Sequence, residues 1–335
     1  MKGFSLAQKA INQARWPITW PFIIHQQSEC PETQKDYSSD SVPNISLNLK
    51  IMSFNIRRGT ARDGKNHWKY RRSLVHEILD LYCPDVLGLQ EALDFQIPEI
   101  SAMLPGYKNV GIGDLGGSKR LHNTIFYDAN RFELSEEGTF WLSDTPDIPR
   151  SKGWGNIMPR ICTWVRLIEK NSGQAFYFYN THLDHLSQGS RKKSVIFLIK
   201  RIHARSYPDP FILTGDFNAR ERSAPIQYLK GKSPLRIKTK LTVINPTPLV
   251  DTFRVRHPKN RNSVTFHGFR KYFFRFRLDY IFVPSSVRVL DAKIIQLRWK
   301  KCYPSDHFPL FTHIGLPVND ASLDSISCLD EAINQ

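Results

Sequence analysis

The run PFILTGDFNA, residues 210–219, passes from an unbroken apolar stretch to a carboxylate and an amide. A short apolar run bounded by turn formers reads as a buried strand. Asp216 and Asn218 therefore stand where that strand ends, and two residues apart in an extended chain they would point to the same side. Aimed into one cleft, the carboxylate could deprotonate a water or bind a metal while the amide orients water or phosphate. Taken alone, such a segment is more often an Asp/Gly/Asn turn. Recurrence of the pattern decides between the two readings.

It recurs along the chain. Asn55 closes IMSFN, and Glu91 closes DVLGLQE directly after the apolar run Val86 to Leu89. A glutamate there is costly unless paired or holding a cation, which makes it a candidate Mg²⁺ ligand. The aromatic stretch before NTHLDH ends at His182, whose side chain can stabilise charge on a phosphoryl group or protonate a leaving oxygen near neutral pH. Asp184 and His185 follow with weaker grounds for a role. RLDYIFV holds Asp279 in an otherwise apolar run, and YPSDHFP supplies Asp306 and His307. A buried carboxylate fixes the tautomer of an imidazole and raises its basicity, so Asp279 is expected to hydrogen-bond His307.

Strands are expected at 49–57, 85–91, 123–127, 161–168, 175–183, 210–217, 277–283 and 308–314. Helical spacing places Leu74, Val75, Ile78, Leu79 and Tyr82 on one face of 71–82, a helix ended by Pro84. A second helix, 190–204, puts Val195, Leu198, Ile199 and Ile202 on one side. Helices set between groups of strands imply a layered α/β arrangement around stacked sheets. The segment Lys230 to Lys240 is basic and reads as a surface loop. Residues 1–48 form an N-terminal extension, linker-like from Ser28, with a short helix possible over 5–14. Residues 49–316 form one catalytic domain, and 317–335 a polar tail.

With 47 Lys and Arg against 31 Asp and Glu, the 335-residue chain carries a net charge of +16, which favours polyanionic partners such as a phosphate-bearing substrate or nucleic acid. No stretch reaches the ~18 uninterrupted apolar residues of a membrane span. Five scattered cysteines without a C-x-x-C pair exclude a disulfide framework or zinc site and fit a reducing compartment. The apolar run 16–24 is broken by Pro17 and Pro21, so a cytoplasmic location is expected, and a monomer with it.

The series SFNIR, GLQE, NTHLDH, GDFN, RLDYIF and PSDHFP resembles the endonuclease/exonuclease/phosphatase superfamily, the deoxyribonuclease-I-like fold, from about Leu49 to Leu316. FWLSDTPD, GWGNIMPRICTW and TFHGF resemble a bacterial subgroup related to the deadenylases and nocturnin. The resemblance implies a four-layer α/β sandwich of two packed mixed β-sheets flanked by helices, with a divalent metal, usually Mg²⁺ with Mn²⁺ as a substitute. It places Asn55, Glu91 and Asp306 in or near the metal shell and His182 on the scissile phosphate. Asp216 and Asn218 activate and position water, and Asp279 orients His307. Arg160, whose planar guanidinium can grip two oxygens, is a candidate for phosphate binding.

Two stretches depart from the pattern. FRKYFFRFRLDY (269–280) stands where a glycine-rich loop is expected and reads as an apolar strand with a basic outer edge, or as a nucleic-acid platform. The N-terminal extension has no counterpart in the core fold. The leading expectation is metal-dependent hydrolysis of a phosphate ester, with a nucleic-acid phosphodiester as the favoured substrate. A phosphomonoesterase on a sugar or inositol phosphate is the alternative. A non-catalytic nucleic-acid-binding relative would lack one of Glu91, Asp216, Asp279 or His307, and all four are present.

Overall fold

The computed structural model describes residues 45–117, 120–238, 241–270, 275–299 and 302–317. The expectations for residues 1–44, for the tail past 317 and for positions 271–274 lie outside the described residues.

Along the chain the strands are β1 (Ile45–Asn55), β2 (Val86–Gln90), β3 (Tyr107–Val110), β4 (Ile125–Asp128), β5 (Phe132–Trp141), β6 (Ile161–Glu169) and β7 (Ala175–His182). They continue as β8 (Phe211–Asp216), β9 (Leu235–Lys238), β10 (Leu241–Val243), β11 (Leu249–Asp251), β12 (Asp279–Pro284), β13 (Arg288–Ile294) and β14 (Leu310–Pro317). The helices are α1 (Trp68–Tyr82), α2 (Gln96–Ser101), α3 (Gln188–His203), α4 (Ala224–Leu229) and α5 (Thr252–Arg256). One six-stranded sheet runs β13-β14-β1-β2-β4-β3 and the other β11-β12-β8-β7-β6-β5. Both are mixed, because β1 pairs with β2, and β7 with β8, in parallel among antiparallel neighbours.

Side-chain alternation assigns each strand's two faces. On β1, Leu47, Leu49 and Ile51 enter the core between the sheets, while Met52 and Phe54 face outward under α1. On β7, Phe176 and Phe178 face inward, and Tyr177 and Tyr179 pack outward beneath α3 and α4. Each large apolar side chain buried in this way stabilises the fold by ~1.5–3 kcal/mol. The resulting layers are helix, sheet, sheet and helix, the four-layer α/β sandwich that the resemblance implied.

The inward faces change character toward one end. The β1 series Leu47, Leu49, Ile51 continues as Ser53 and Asn55, the β7 series Phe176, Phe178 as Asn180 and His182, and β8 passes from Ile212 to Thr214 and Asp216. This polar layer is bonded across the sheets: Gln90 Nε2 donates to Asn180 Oδ1 at 2.7 Å, and Asn180 Nδ2 donates to the Leu89 carbonyl at 2.8 Å. Left unpaired, each such buried group would cost ~1–3 kcal/mol. The sheets approach closely here because residue 88 is glycine, where a Cβ would lie 2.9 Å from atoms of both Asn180 and Thr214.

Helix α1 buries Leu74, Val75, Ile78 and Leu79, and α3 buries Val195, Leu198, Ile199 and Ile202. Cys83, in the left-handed region, ends α1 just before Pro84. Two expectations are corrected. Lys230–Lys240 is not a plain loop, since β9 pairs with β10 and Leu235 is buried. In 269–280 the strand begins only at Asp279, and of the described cations Arg270 and Arg275 are exposed while Arg277 is buried and pairs with Asp251 at 2.5 Å, so the basic edge expected there does not include Arg277.

Candidate active site

Register alone places three of the expected residues in one row. His182 on β7 pairs with Asp216 on β8, and Asp216 pairs with Asp279 on β12. Across the sandwich, β1 and β2 end side by side, with Asn55 paired to Gln90, which delivers Glu91 next to Asn55. Asn55 joins the two sheets: its Nδ2 lies 3.3 Å from Glu91 Oε1 and 3.1 Å from Asp216 Oδ2.

The expected pairing of Asp279 with His307 is present, with 2.8 Å between Oδ2 and Nδ1. The TFHGF segment supports it, because Thr265 Oγ1 accepts the Asp279 N–H at 3.1 Å and the Phe266 ring lies 4.9 Å from the His307 ring. The other ring nitrogen of His307 is 3.7 Å from Asp216 Oδ2. Burial disfavours a charged imidazole here, but the Asp279 and Asp216 carboxylates outweigh it and raise His307 to about 10, so it is an imidazolium at neutral pH. Burial, with the Asp279 charge, pushes the Asp216 carboxyl up.

Asn218 reaches the row by another route than strand alternation. Its backbone is left-handed at φ 47°, its N–H donates to Asp216 Oδ1 at 2.9 Å, and its Nδ2 donates to His182 Nε2 at 2.9 Å. The chain has turned by residue 218, so the turn and the site coincide. Gly215 permits the approach: at φ 148°, a Cβ would sit 2.0 Å from the Thr181 carbonyl oxygen. The contact with Asn218 leaves the proton of neutral His182 on Nδ1. Burial and the Arg160 charge lower His182 to about 4.

Glu91 is also left-handed, at φ 59°, and its Oε2 accepts the Arg58 N–H at 3.2 Å. Burial would raise its pKa, but His182, Arg57 and His307 together hold it at about 2. Asp306 lies 3.6 Å from Arg57 and accepts from Ser305 Oγ at 3.2 Å. Arg160 borders His182. Its guanidinium is 3.5 Å from Asp184 and 2.9 Å from His185 Nδ1, which gives those two residues of NTHLDH a holding role that the sequence did not reveal.

Among the described residues, Asp216, Asp279 and His307 form a group whose potential ligand atoms lie within 4.8 Å of one another, so the row could hold a metal. Within that group the Asp279 carboxylate is already bonded to His307 Nδ1 at 2.8 Å. The carboxylates of Glu91 and Asp306 are hard oxygen donors that would suit Mg²⁺ better, whereas the Asn55 amide turns its nitrogen to Glu91 and Asp216 and its oxygen to the Arg57 N–H at 3.0 Å.

Sequence reasoning missed Arg71 of α1. Buried at 1% exposure, its guanidinium donates to the carbonyls of Ile56 (2.5 Å), Arg57 (2.8 Å), Pro304 (2.9 Å) and Asn66 (3.0 Å). It thereby ties the segment after Asn55 to the segment before Asp306. An arginine in an amphipathic helix gives no sequence signal of such a role.

Acid, amide and imidazole side chains converging on one edge of a two-sheet sandwich define a class of hydrolases that act on phosphate esters. Residues 52–307 match the Endonuclease/Exonuclease/phosphatase family, and the chain belongs to it. An uncharacterized protein of Acanthamoeba polyphaga mimivirus, L388, is 32% identical over 185 residues, covering 52% of this chain and 68% of the relative. The mannosyl-6-phosphatase of Bacteroides thetaiotaomicron is 30% identical in its solved structure, with a TM-score of 0.69 over 79% of this chain and 99% of that one. The catalytic domain of human nocturnin shares the fold, at 20% identity and a TM-score of 0.62 over 82% of this chain and 95% of that one. Among the described residues no helix is long and apolar enough to cross a membrane.

Proposed function

We propose that this chain is a Mg²⁺-dependent phosphoesterase that hydrolyses a nucleic-acid phosphodiester by in-line attack of water. The observation that carries the reading is the row His182–Asp216–Asp279 with His307 bonded to Asp279, facing Glu91 and Asn55 across the sandwich. Glu91, Asn55 and Asp306 would hold the Mg²⁺, with Mn²⁺ as a substitute. When bound, the metal supplies Lewis-acid stabilisation of phosphoryl charge.

The side chains divide the remaining work. Asp216, with its proton affinity raised, accepts a proton from the attacking water, and Asn218 fixes the position of that water. The His307 imidazolium, kept charged by Asp279, opposes the charge that develops on the phosphoryl oxygens, and His182 contacts the same group. Arg160, aligned by Asp184 and His185, grips a non-bridging oxygen. The scattered cysteines support a reducing, cytoplasmic location.

The +16 charge favours a polyanionic substrate. The 30% identity to a mannosyl-6-phosphatase supports a second reading, hydrolysis of a sugar phosphomonoester. A panel of bis-p-nitrophenyl phosphate, single-stranded RNA, duplex DNA and hexose phosphates, assayed with EDTA and with Mg²⁺ restored, separates them. Metal-dependent cleavage of a polymer, lost ~10²-fold or more in Asp216→Asn, is the expected result. Turnover of hexose phosphates alone transfers the assignment to the second reading, and turnover of nothing removes both.

A further inference from the structure

Helix α3 carries Arg191, Lys192, Lys193, Lys200 and Arg201 and no acidic residue. The chain from Lys230 to Lys240 is likewise basic without an acid, and its β9 strand packs against α3. Beside them is a surface cavity of about 200 Å³, floored by Trp154, Ile196, Phe197 and Ile237 and rimmed by Lys193 and Lys200.

The cations rimming this cavity have no acidic partner among the described residues, and the Lys193 ammonium lies over the Trp154 ring, 5.9 Å from its centroid. Among the described residues no ion pair involves Lys192, Lys193, Lys200, Lys232 or Arg236, whereas Lys230 is engaged by Glu221 and Asp251. The nearby acids are occupied: Asp144, which also lines the cavity, accepts the Trp154 indole N–H at 2.8 Å, and Asp147 lies 3.8 Å from Arg201. The Trp154 ring is held by that bond and by the edge of Phe197, 6.0 Å between centroids. The cavity is smaller than the ~300–1,000 Å³ of a drug-sized pocket. That size suits one ring system of a larger ligand.

The cavity is also connected to the catalytic edge. Trp154 lies in the loop that ends at Arg160, and its carbonyl accepts from Ser187 Oγ, the cap of α3, at 3.4 Å. Ser187 in turn donates its N–H to Asp184, the residue 3.5 Å from the Arg160 guanidinium. Lys193 and Lys200 are seven residues apart on α3, a rise of about 10 Å. Cations beside a half-buried aromatic ring whose loop is hydrogen-bonded to the catalytic edge are the elements of a single-strand track.

We propose that α3, Trp154 and the basic β9 segment form a binding track for single-stranded nucleic acid, with an unpaired base in the Trp154–Phe197 cavity and backbone phosphates on Lys193 and Lys200. This rests on the phosphodiesterase reading above and names the strand form of its substrate. Duplex DNA presents no free base face to the cavity and binds the track only through charge.

The test is fluorescence anisotropy of a labelled single-stranded oligonucleotide on the full-length Asp216→Asn protein between 50 and 200 mM salt. Adding Lys193→Ala and Lys200→Ala is expected to weaken binding at least tenfold and to lower the log–log salt slope by about 1.4, at ~0.7 per phosphate contact. Trp154→Leu is expected to weaken it about 5- to 160-fold. Lys108→Ala with Lys259→Ala, the same charge change elsewhere on the surface, should leave affinity within twofold, and thermal melts check that each variant folds. An unchanged affinity and slope in the Lys193/Lys200 variant overturns the track. So does loss of binding to phosphatidylserine vesicles without loss of binding to the oligonucleotide. Wild-type turnover of bis-p-nitrophenyl phosphate reports separately on the site: turnover without strand binding sinks only the track, and strand binding without turnover sinks only the hydrolase.

Discussion

Replacing Arg71 by methionine keeps a long apolar stem and removes every donor. Four carbonyls, those of Ile56, Arg57, Asn66 and Pro304, then lose a charged partner within 2.5–3.0 Å. Hydrogen bonds to charged groups contribute ~1.5–3 kcal/mol each, so the gross loss is about 6–12 kcal/mol. Two effects reduce it. Burial, only partly offset by the Asp306, Asp63 and Glu91 carboxylates, lowers the Arg71 pKa from 12.5 to about 10, and at 1.36 kcal/mol per pKa unit this is a net cost of ~3 kcal/mol for the buried charge that methionine does not carry. Carbonyls at loop ends also regain some water.

A net destabilisation of ~3–5 kcal/mol remains, the range measured when a buried charged network is broken. Against a total stability of ~5–15 kcal/mol it should lower Tm by roughly 10 °C, at ~2–4 °C per kcal/mol for a domain of this size. Arg71→Lys should be only partly better, because an ammonium cannot span carbonyls on both sides of the site. Circular-dichroism melts measure the first effect. The second is read at a temperature where the variant is fully folded: kcat should still fall ~10-fold, because the segments bearing Asn55 and Asp306 are no longer tied. A methionine variant melting within about 2 °C of wild type would refute the calculation.

Two further outcomes follow from the electrostatics. Asp279→Asn removes the largest influence raising His307, so the imidazolium should lose its proton well below pH 10 and activity should fall at a lower pH than in wild type, with kcat reduced ~10²-fold; superimposable pH–rate curves would remove the orienting role. Glu221 is depressed from 4.5 to about 2, with burial outweighed by Arg254, Arg277 and Lys230. Its contribution to stability is therefore full above pH 4.5 and lost as pH falls from there toward 2, about 1–2 kcal/mol after discounting for its solvent exposure. Urea titrations of Glu221→Gln across that window should show a shallower acid dependence than wild type, and equal slopes would count against the assignment.

The elements legible in the sequence share one property. The expected strands, at β1, β2, β4, β6, β7, β8, β12 and β14, each lie between two neighbours in their sheet and are apolar on both faces over much of their length. Those missed from the two large sheets, β3, β5, β11 and β13, are the four edges. An edge strand such as FELSEEGTFW buries one side chain in two at best and carries charge on its open side, which hides it among loops. The charges that keep an open edge from pairing with another chain thus erase the signal that would reveal the strand.

The site was legible for a related reason. A strand whose inward face is apolar, then polar, then ionisable at every second residue can exist only where a core gives way to a cleft. Leu49, Ile51, Ser53, Asn55 and Phe176, Phe178, Asn180, His182 both follow that sequence. What stayed hidden depends on where loops go. The paths of residues 153–160 and 217–219 bring Arg160 to His185 and Asn218 to His182, and no period in the sequence encodes such a meeting. Residues on regular strands could therefore be placed in advance. Arg160 was a candidate from the sequence, but its contacts with Asp184 and His185, like the bonds of Arg71 to Pro304 and Ile56, join partners far apart in the chain, and only the folded structure displays those contacts.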